Sequence, residues 1–172
     1  MAIQTRHRLR SPGTINNTRL VLATVSALCV IAVGFALFAQ HRMHMEPCPW
    51  CILQRVLYVL IAFVAGLGAL FGGERFTKVS SAGAVIISIT GVVAAWYQHA
   101  VAAKSSSCAF TLADRIISGL HLDTLWPAMF EVRANCADGA VDLVGVPFEF
   151  WSLALFALLA LVTAWTTVRE HA

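Results

Sequence analysis

Four apolar runs, at roughly residues 20–38, 52–71, 79–96 and 148–168, constrain this chain more than any other feature. Each has about the 17–25 residues needed to cross ~30 Å of hydrocarbon at ~1.5 Å per residue. Inside a bilayer a segment must satisfy its own backbone polar groups, so each run is expected to be a spanning α-helix. Composition agrees: 59% of the 172 residues are hydrophobic and 12% are charged, and the mean hydropathy of +0.76 lies far outside the soluble globular range. The expectation is an all-α membrane protein, an antiparallel four-transmembrane-helix bundle forming a single integral membrane domain over residues 1–172.

The first run follows a basic stretch and so has the outline of a secretory signal. Its apolar segment exceeds the usual 7–15 residues, and Leu37 spoils the small-x-small pattern that would end at Ala39, so it is read as a retained helix. Arg6, Arg8, Arg10 and Arg19 precede it, Arg75 and Lys78 lie between the second and third runs, and Arg169 follows the fourth. By the positive-inside rule both termini are expected in the cytoplasm, with loops of about 40–51 and 97–147 on the outer side. That topology accounts for the basic pI of about 8.8 and gives no reason to expect a nucleic-acid partner.

Four of the five cysteines fall in those outer segments: Cys48 and Cys51 in the first, Cys108 and Cys136 in the second. Cys29 sits in the middle of the first run and reads as a small packing residue. Outside a bacterial inner membrane disulfides form and persist. A closed zinc site usually draws on two tight pairs, and only Cys48-Pro-Trp-Cys51 is tight. A c-type haem needs a histidine where Ile52 stands. Redox exchange needs one attackable disulfide and a thiol able to reach it, which this spacing allows, while inert structural disulfides and a metal-binding module remain as alternatives. The cluster His41, Met43, His44 and Met45 adds copper-type ligands to the metal alternative.

Local physics bears on the tight pair. Pro47 and Pro49 suit a helix start, because proline at the first helical position gives up an N–H that would be unpaired anyway. Cys51 then falls in the first turn of the second span, where free amides and the helix dipole favour a thiolate. Arg55 follows by four residues on the same face. A cation at that depth is costly unless it meets an anion, so it is expected to stabilise negative charge on Cys51 or on a bound electron acceptor.

The long outer loop carries Cys108 in a small polar "SSSC" segment, suited to attack by a protein thiol. Ile116, Ile117, Leu120, Leu125, Trp126, Met129 and Phe130 alternate with charges farther on, a pattern expected to form a short amphipathic helix lying on membrane lipid. A Cys108–Cys136 disulfide would close a 29-residue loop, 108 through 136, worth at most ~3–4 kcal/mol on the chain-entropy model. His99, in "WYQHA" after the third run, is placed to donate a hydrogen bond to an acceptor near Arg55.

The Cys-x-x-Cys followed by Gln54-Arg55, the "YQH" after the third run, the second outer cysteine pair and "CADGAVDLVGVPFEFWSL" entering the fourth together resemble the bacterial disulfide-bond oxidoreductase family DsbB. The resemblance implies a horizontal helix in the second periplasmic loop, inner-membrane location, and cysteines facing the periplasm. It implies an enzyme, a quinone-dependent protein thiol:disulfide oxidoreductase that reoxidises a periplasmic DsbA-type dithiol protein and passes the electrons to ubiquinone or menaquinone. By the same resemblance Cys108 receives the partner's thiolate, Cys136 attacks Cys48, Cys51 faces the quinone, and Arg55, His99 and Gln54 lie beside it. DsbA proteins, known to lie at about −120 mV, are strong oxidants, so their reoxidation needs an acceptor of higher potential. An enzyme running in the reducing direction, like vitamin K epoxide reductase, shares the relay but not the match into the fourth run.

Overall fold

The computed structural model describes residues 12–104, 111–135, 142–143 and 145–171. Arg6, Arg8, Arg10, Cys108 and Cys136 lie outside the described residues. Helices α1 (Pro12–Arg42), α2 (Pro49–Leu70), α3 (Glu74–Ala100) and α7 (Phe148–His171) are the long elements. Between the last two come a 3-10 turn (Ala102–Lys104), short helices α4 (Leu112–Gly119), α5 (Leu122–Leu125) and α6 (Pro127–Phe130), and the antiparallel strands β1 (Asp142–Leu143) and β2 (Val146–Pro147). Four helices are long and apolar enough to cross a membrane: Asn16–Arg42, Pro49–Leu70, Glu74–Ala100 and Phe148–Val168. The first and third outrun their apolar segments by several residues at each end. Helical hydrogen bonding continues into the polar flanks, whereas hydropathy registers only the part that matches hydrocarbon.

The four helices run antiparallel, α2 against α1 and α3, and α7 mainly against α3. Lipid is as apolar as leucine, so association in a membrane relies on close packing and interhelical hydrogen bonds rather than on the hydrophobic effect. Ser26 on α1 donates to the Ala62 carbonyl on α2 at 2.8 Å, and Arg19 donates to the Ala69 carbonyl at 2.8 Å, capping the end of α2. The Ser81 hydroxyl meets the Thr163 carbonyl and the Thr166 and Thr167 hydroxyls at 2.8–3.2 Å, joining α3 to α7. Gly91 lets the fully buried Phe156 ring lie directly on α3, and that ring also stacks on Tyr58 with centroids 4.1 Å apart. Leu20, Ile31, Phe63, Ile86 and Leu161 point away from the bundle, as lipid-facing residues should.

The segment expected to form one amphipathic helix is three short ones. His121 takes a left-handed backbone (φ 52°) and breaks the chain after α4. Pro127 lacks an N–H and disfavours helical geometry at Trp126, which separates α5 from α6. Thr111 caps α4 by accepting the Asp114 amide at 3.3 Å. Amphipathicity survives the breaks: Ala113, Ile117, Met129 and Phe130 are buried, and Leu112, Leu120, Leu125 and Trp126 are exposed.

Candidate active site

The tight cysteine pair sits where α2 begins. Cys48 is the N-cap residue with extended backbone, and its sulfur accepts the Cys51 amide at 3.3 Å. Pro49 opens the helix, so the first-turn amide of Cys51 turns toward a sulfur rather than an oxygen. The two sulfurs are free thiols 2.8 Å apart. Cys48 is completely buried; its hydrogen bond with the Cys51 thiol, and then burial, push its pKa well above the ordinary thiol range. Cys51 is partly exposed, and its exposed side faces a cavity.

One turn deeper, Arg55 is buried and ties three elements together. Its guanidinium donates to the Gln40 side-chain oxygen at 2.5 Å, the Met129 carbonyl at 3.1 Å and the Ala36 carbonyl at 3.4 Å, joining α1, α2 and α6. All three acceptors are neutral, and no carboxylate pairs with it among the described residues. Gln54 donates to the Gln98 side-chain oxygen at 2.6 Å, which turns the Gln98 amide so that it donates to Cys51 Sγ at 3.3 Å. Sequence reasoning did not single out Gln98 or Gln40. Both are polar side chains near span ends, but their partners lie 47 and 15 residues away.

His99 is not on the cavity wall. Its half-exposed ring packs against Phe150, and Nδ1 lies 3.0 Å from Glu149 Oε1. Glu149 stands between His99 and the cavity, and sequence reasoning gave it no role. The available signal was an acidic residue in the first turn of an otherwise apolar span.

The cavity encloses about 530 Å³, within the range of small-molecule sites. Leu28, Ile31 and Phe35 of α1 and Trp151 and Leu155 of α7 form apolar walls; Cys51, Gln54, Arg55, Gln98 and Glu149 supply the polar end. Ile31, Phe35 and Trp151 are also exposed on the bundle's outer face, so the cavity opens sideways between α1 and α7.

The long loop returns to this site. The Arg133 and Ala134 amides both donate to the Pro47 carbonyl, at 3.1 and 3.2 Å. Residues 133–134 are thereby fastened to the residue that precedes Cys48. Of the metal-type cluster, His41 Nδ1 lies 2.9 Å from the Leu37 carbonyl, and no three His, Cys, Asp or Glu side chains converge among the described residues.

The family model of the disulfide bond formation protein DsbB matches residues 18–166. The chain belongs to the DsbB family. It is 33% identical over 152 residues to disulfide bond formation protein B of Pseudomonas syringae pv. tomato, covering 87% of this chain and 89% of that one. Disulfide bond formation protein B 1 of Pseudomonas putida is 32% identical over 149 residues (86% and 89%), and the Nitrosomonas europaea protein 26% over 147 (84% and 90%). As a DsbB-family chain it is a multi-pass bacterial inner-membrane oxidoreductase of disulfide formation. A quinone fits the cavity's chemistry: apolar walls suit a ring and an isoprenoid tail, and Arg55 and Glu149 Oε2, which has no partner among the described residues, line the cavity with Cys51 at its polar end.

Proposed function

We propose that this protein oxidises a DsbA-type periplasmic dithiol protein and delivers the electrons to a membrane quinone, ubiquinone or menaquinone, held between α1, α2 and α7. One observation carries the reading: Cys51 lies on the wall of an apolar cavity that opens toward lipid, beside a buried arginine that no carboxylate pairs with among the described residues. A metal site offers no comparable reason for that cavity. Both termini are cytoplasmic in this reading, and the end bearing Cys48 faces the periplasm. The positions of Arg19, Arg75 and Lys78 at the opposite end support it.

In the relay, a partner thiolate attacks Cys108 Sγ and Cys136 leaves as a thiolate. Cys136 attacks the buried Cys48 and displaces Cys51, so each exchange breaks one S–S bond and forms one. The partner's second thiol then releases the oxidised partner from Cys108, and Cys108 re-forms its bond to Cys136. That leaves Cys48 and Cys51 reduced by two electrons. The Pro47 bonds to Arg133 and Ala134 support this order, because they hold residues only two or three positions before Cys136 in sequence against the residue that precedes Cys48. A bound quinone supplies the sink for two electrons and two protons as the Cys48–Cys51 disulfide returns. Arg55 and the Gln98 amide stabilise negative charge at Cys51, and Gln54 fixes the orientation of Gln98. The apolar walls keep water from the exposed sulfur.

The test is oxidation of a reduced DsbA-type protein by the purified chain, with thiol loss and quinone absorbance followed together. One quinone reduced per two thiols lost, over many turnovers, is expected. Thiols and quinone both unchanged, in protein that copurifies with stoichiometric metal, would transfer the cysteines to the metal reading.

A further inference from the structure

Glu149 is a carboxyl group with 3% of its surface exposed, in the first turn of a membrane-spanning helix, and among the described residues no cationic side chain is bonded to it except whatever charge His99 carries. Burying such a group without use is costly. Its two oxygens face different ways. Oε1 lies 3.0 Å from His99 Nδ1, and Oε2 finds no partner among the described residues although Glu149 lines the cavity. Behind it, the His99 side chain is 37% exposed. Cavity, Glu149, His99 and the bundle surface therefore form one continuous sequence of groups able to hold and exchange a proton.

We infer that Glu149 is a catalytic proton donor to the electron acceptor in the cavity, and that His99 reloads it from water at the bundle surface. The inference rests on the quinone reading above and deepens it. The balance requires such a group. A Cys51 thiolate and a Cys48 thiol forming a disulfide release two electrons and one proton, whereas reducing a quinone to its hydroquinone consumes two of each. Cys48 supplies one proton, Glu149 Oε2 supplies the other, and the Glu149 carboxylate recovers its proton through Nδ1 of His99. Cys51 is displaced as a thiolate and carries no proton; of the two protons that the partner's dithiol gives up, one ends on Cys48 and the other goes to water, from which His99 takes one back, so the cycle is closed. Arg55, Cys51 and Gln98 share the cavity with Glu149, and only Arg55 among them is a permanent charge. It stands with the electron-donating sulfur, which leaves Glu149 as the cavity's carboxyl acid.

Glu149→Gln keeps the shape and a hydrogen-bond donor but carries no transferable proton. In the full chain with a short-chain ubiquinone, kcat is expected to fall about a hundredfold, within the usual range for general acid catalysis. KM should stay within about twofold, as expected when a proton donor rather than a binding contact is lost. Thiol exchange with the reduced partner should be unchanged, which also shows that the variant folds. A readout independent of turnover is carbodiimide modification, which traps protonated buried carboxyls. Glu149 should be labelled in the wild-type protein, mapped by peptide mass spectrometry, and protected by added ubiquinone. His99→Ala should lower kcat similarly, and added imidazole should restore it. A Glu149→Gln kcat close to wild type, or labelling indifferent to ubiquinone, would overturn the donor role; failure of imidazole rescue would overturn the path through His99. Wild-type protein that exchanges thiols but never reduces ubiquinone would instead overturn the quinone reading itself.

Discussion

Replacing Arg55 with glutamine isolates the electrostatic part of the site. Cys51 and Arg55 are four residues apart on one helix, so their Cβ atoms are ~5–6 Å apart. If the charges stand as close as those Cβ atoms, ~6 Å, and the effective dielectric constant is ~20, the guanidinium stabilises a full negative charge on Cys51 by at most about 3 kcal/mol. No carboxylate among the described residues neutralises it, so little of that effect is cancelled. Losing it should slow the quinone step by at least about tenfold and at most about a hundredfold, at ~1.4 kcal/mol per tenfold. Arg55→Lys keeps the charge but cannot reproduce the fork to Gln40, Met129 and Ala36, so it should destabilise the fold while retaining most of the quinone rate. Single-turnover bleaching of ubiquinone by the reduced protein, beside the rate of exchange with the reduced DsbA-type partner, separates the effects. If Arg55→Gln slows both equally, or if lysine is as poor as glutamine in the quinone step, the charge argument is wrong and Arg55 is only a structural tie.

Gly91→Ala drives a Cβ into the Phe156 ring and should cost about 1–3 kcal/mol, read as a lower unfolding temperature in detergent; an unchanged midpoint would mean that α3 and α7 are not packed as described. It should also weaken quinone binding, because Phe156 stacks on Tyr58, which lines the cavity. Cys108→Ser should abolish attack by the partner and leave the Cys48–Cys51 disulfide able to form, as shown by thiol labelling and peptide mapping. Cys29→Ala should leave turnover within twofold of wild type, since Cys29 is wholly buried in α1; a large loss of activity would show that it does more than pack.

The four long helices were legible because membrane spans announce themselves through continuous hydropathy, and the start of α2 was legible because Pro49 and Cys48 encode it locally. The break-up of the amphipathic segment was partly written in Pro127, but the left-handed turn at His121 depends on the segment folding back over α2, which no local signal specifies. At the site, Cys51 and Arg55 could be placed on one face from their spacing alone. Gln98 could not be joined to Cys51, nor Met129 to Arg55, because those contacts exist only after helices 47 and 74 residues apart in sequence have packed. His99 was expected beside the acceptor from its place after the third span. Its pairing with Glu149 instead sets it behind that carboxylate, a consequence of how α3 meets the start of α7.

Whether the cavity between α1 and α7 receives the electrons is tested most directly by photoaffinity labelling with an azido-quinone analogue, competed by ubiquinone and mapped by mass spectrometry. Labels on peptides containing residues 28–36 and 148–155, lost on competition and weakened by Arg55→Gln, are the predicted result. Competed labels confined to the outer faces of α3, with none on α1 or α7, would contradict the account.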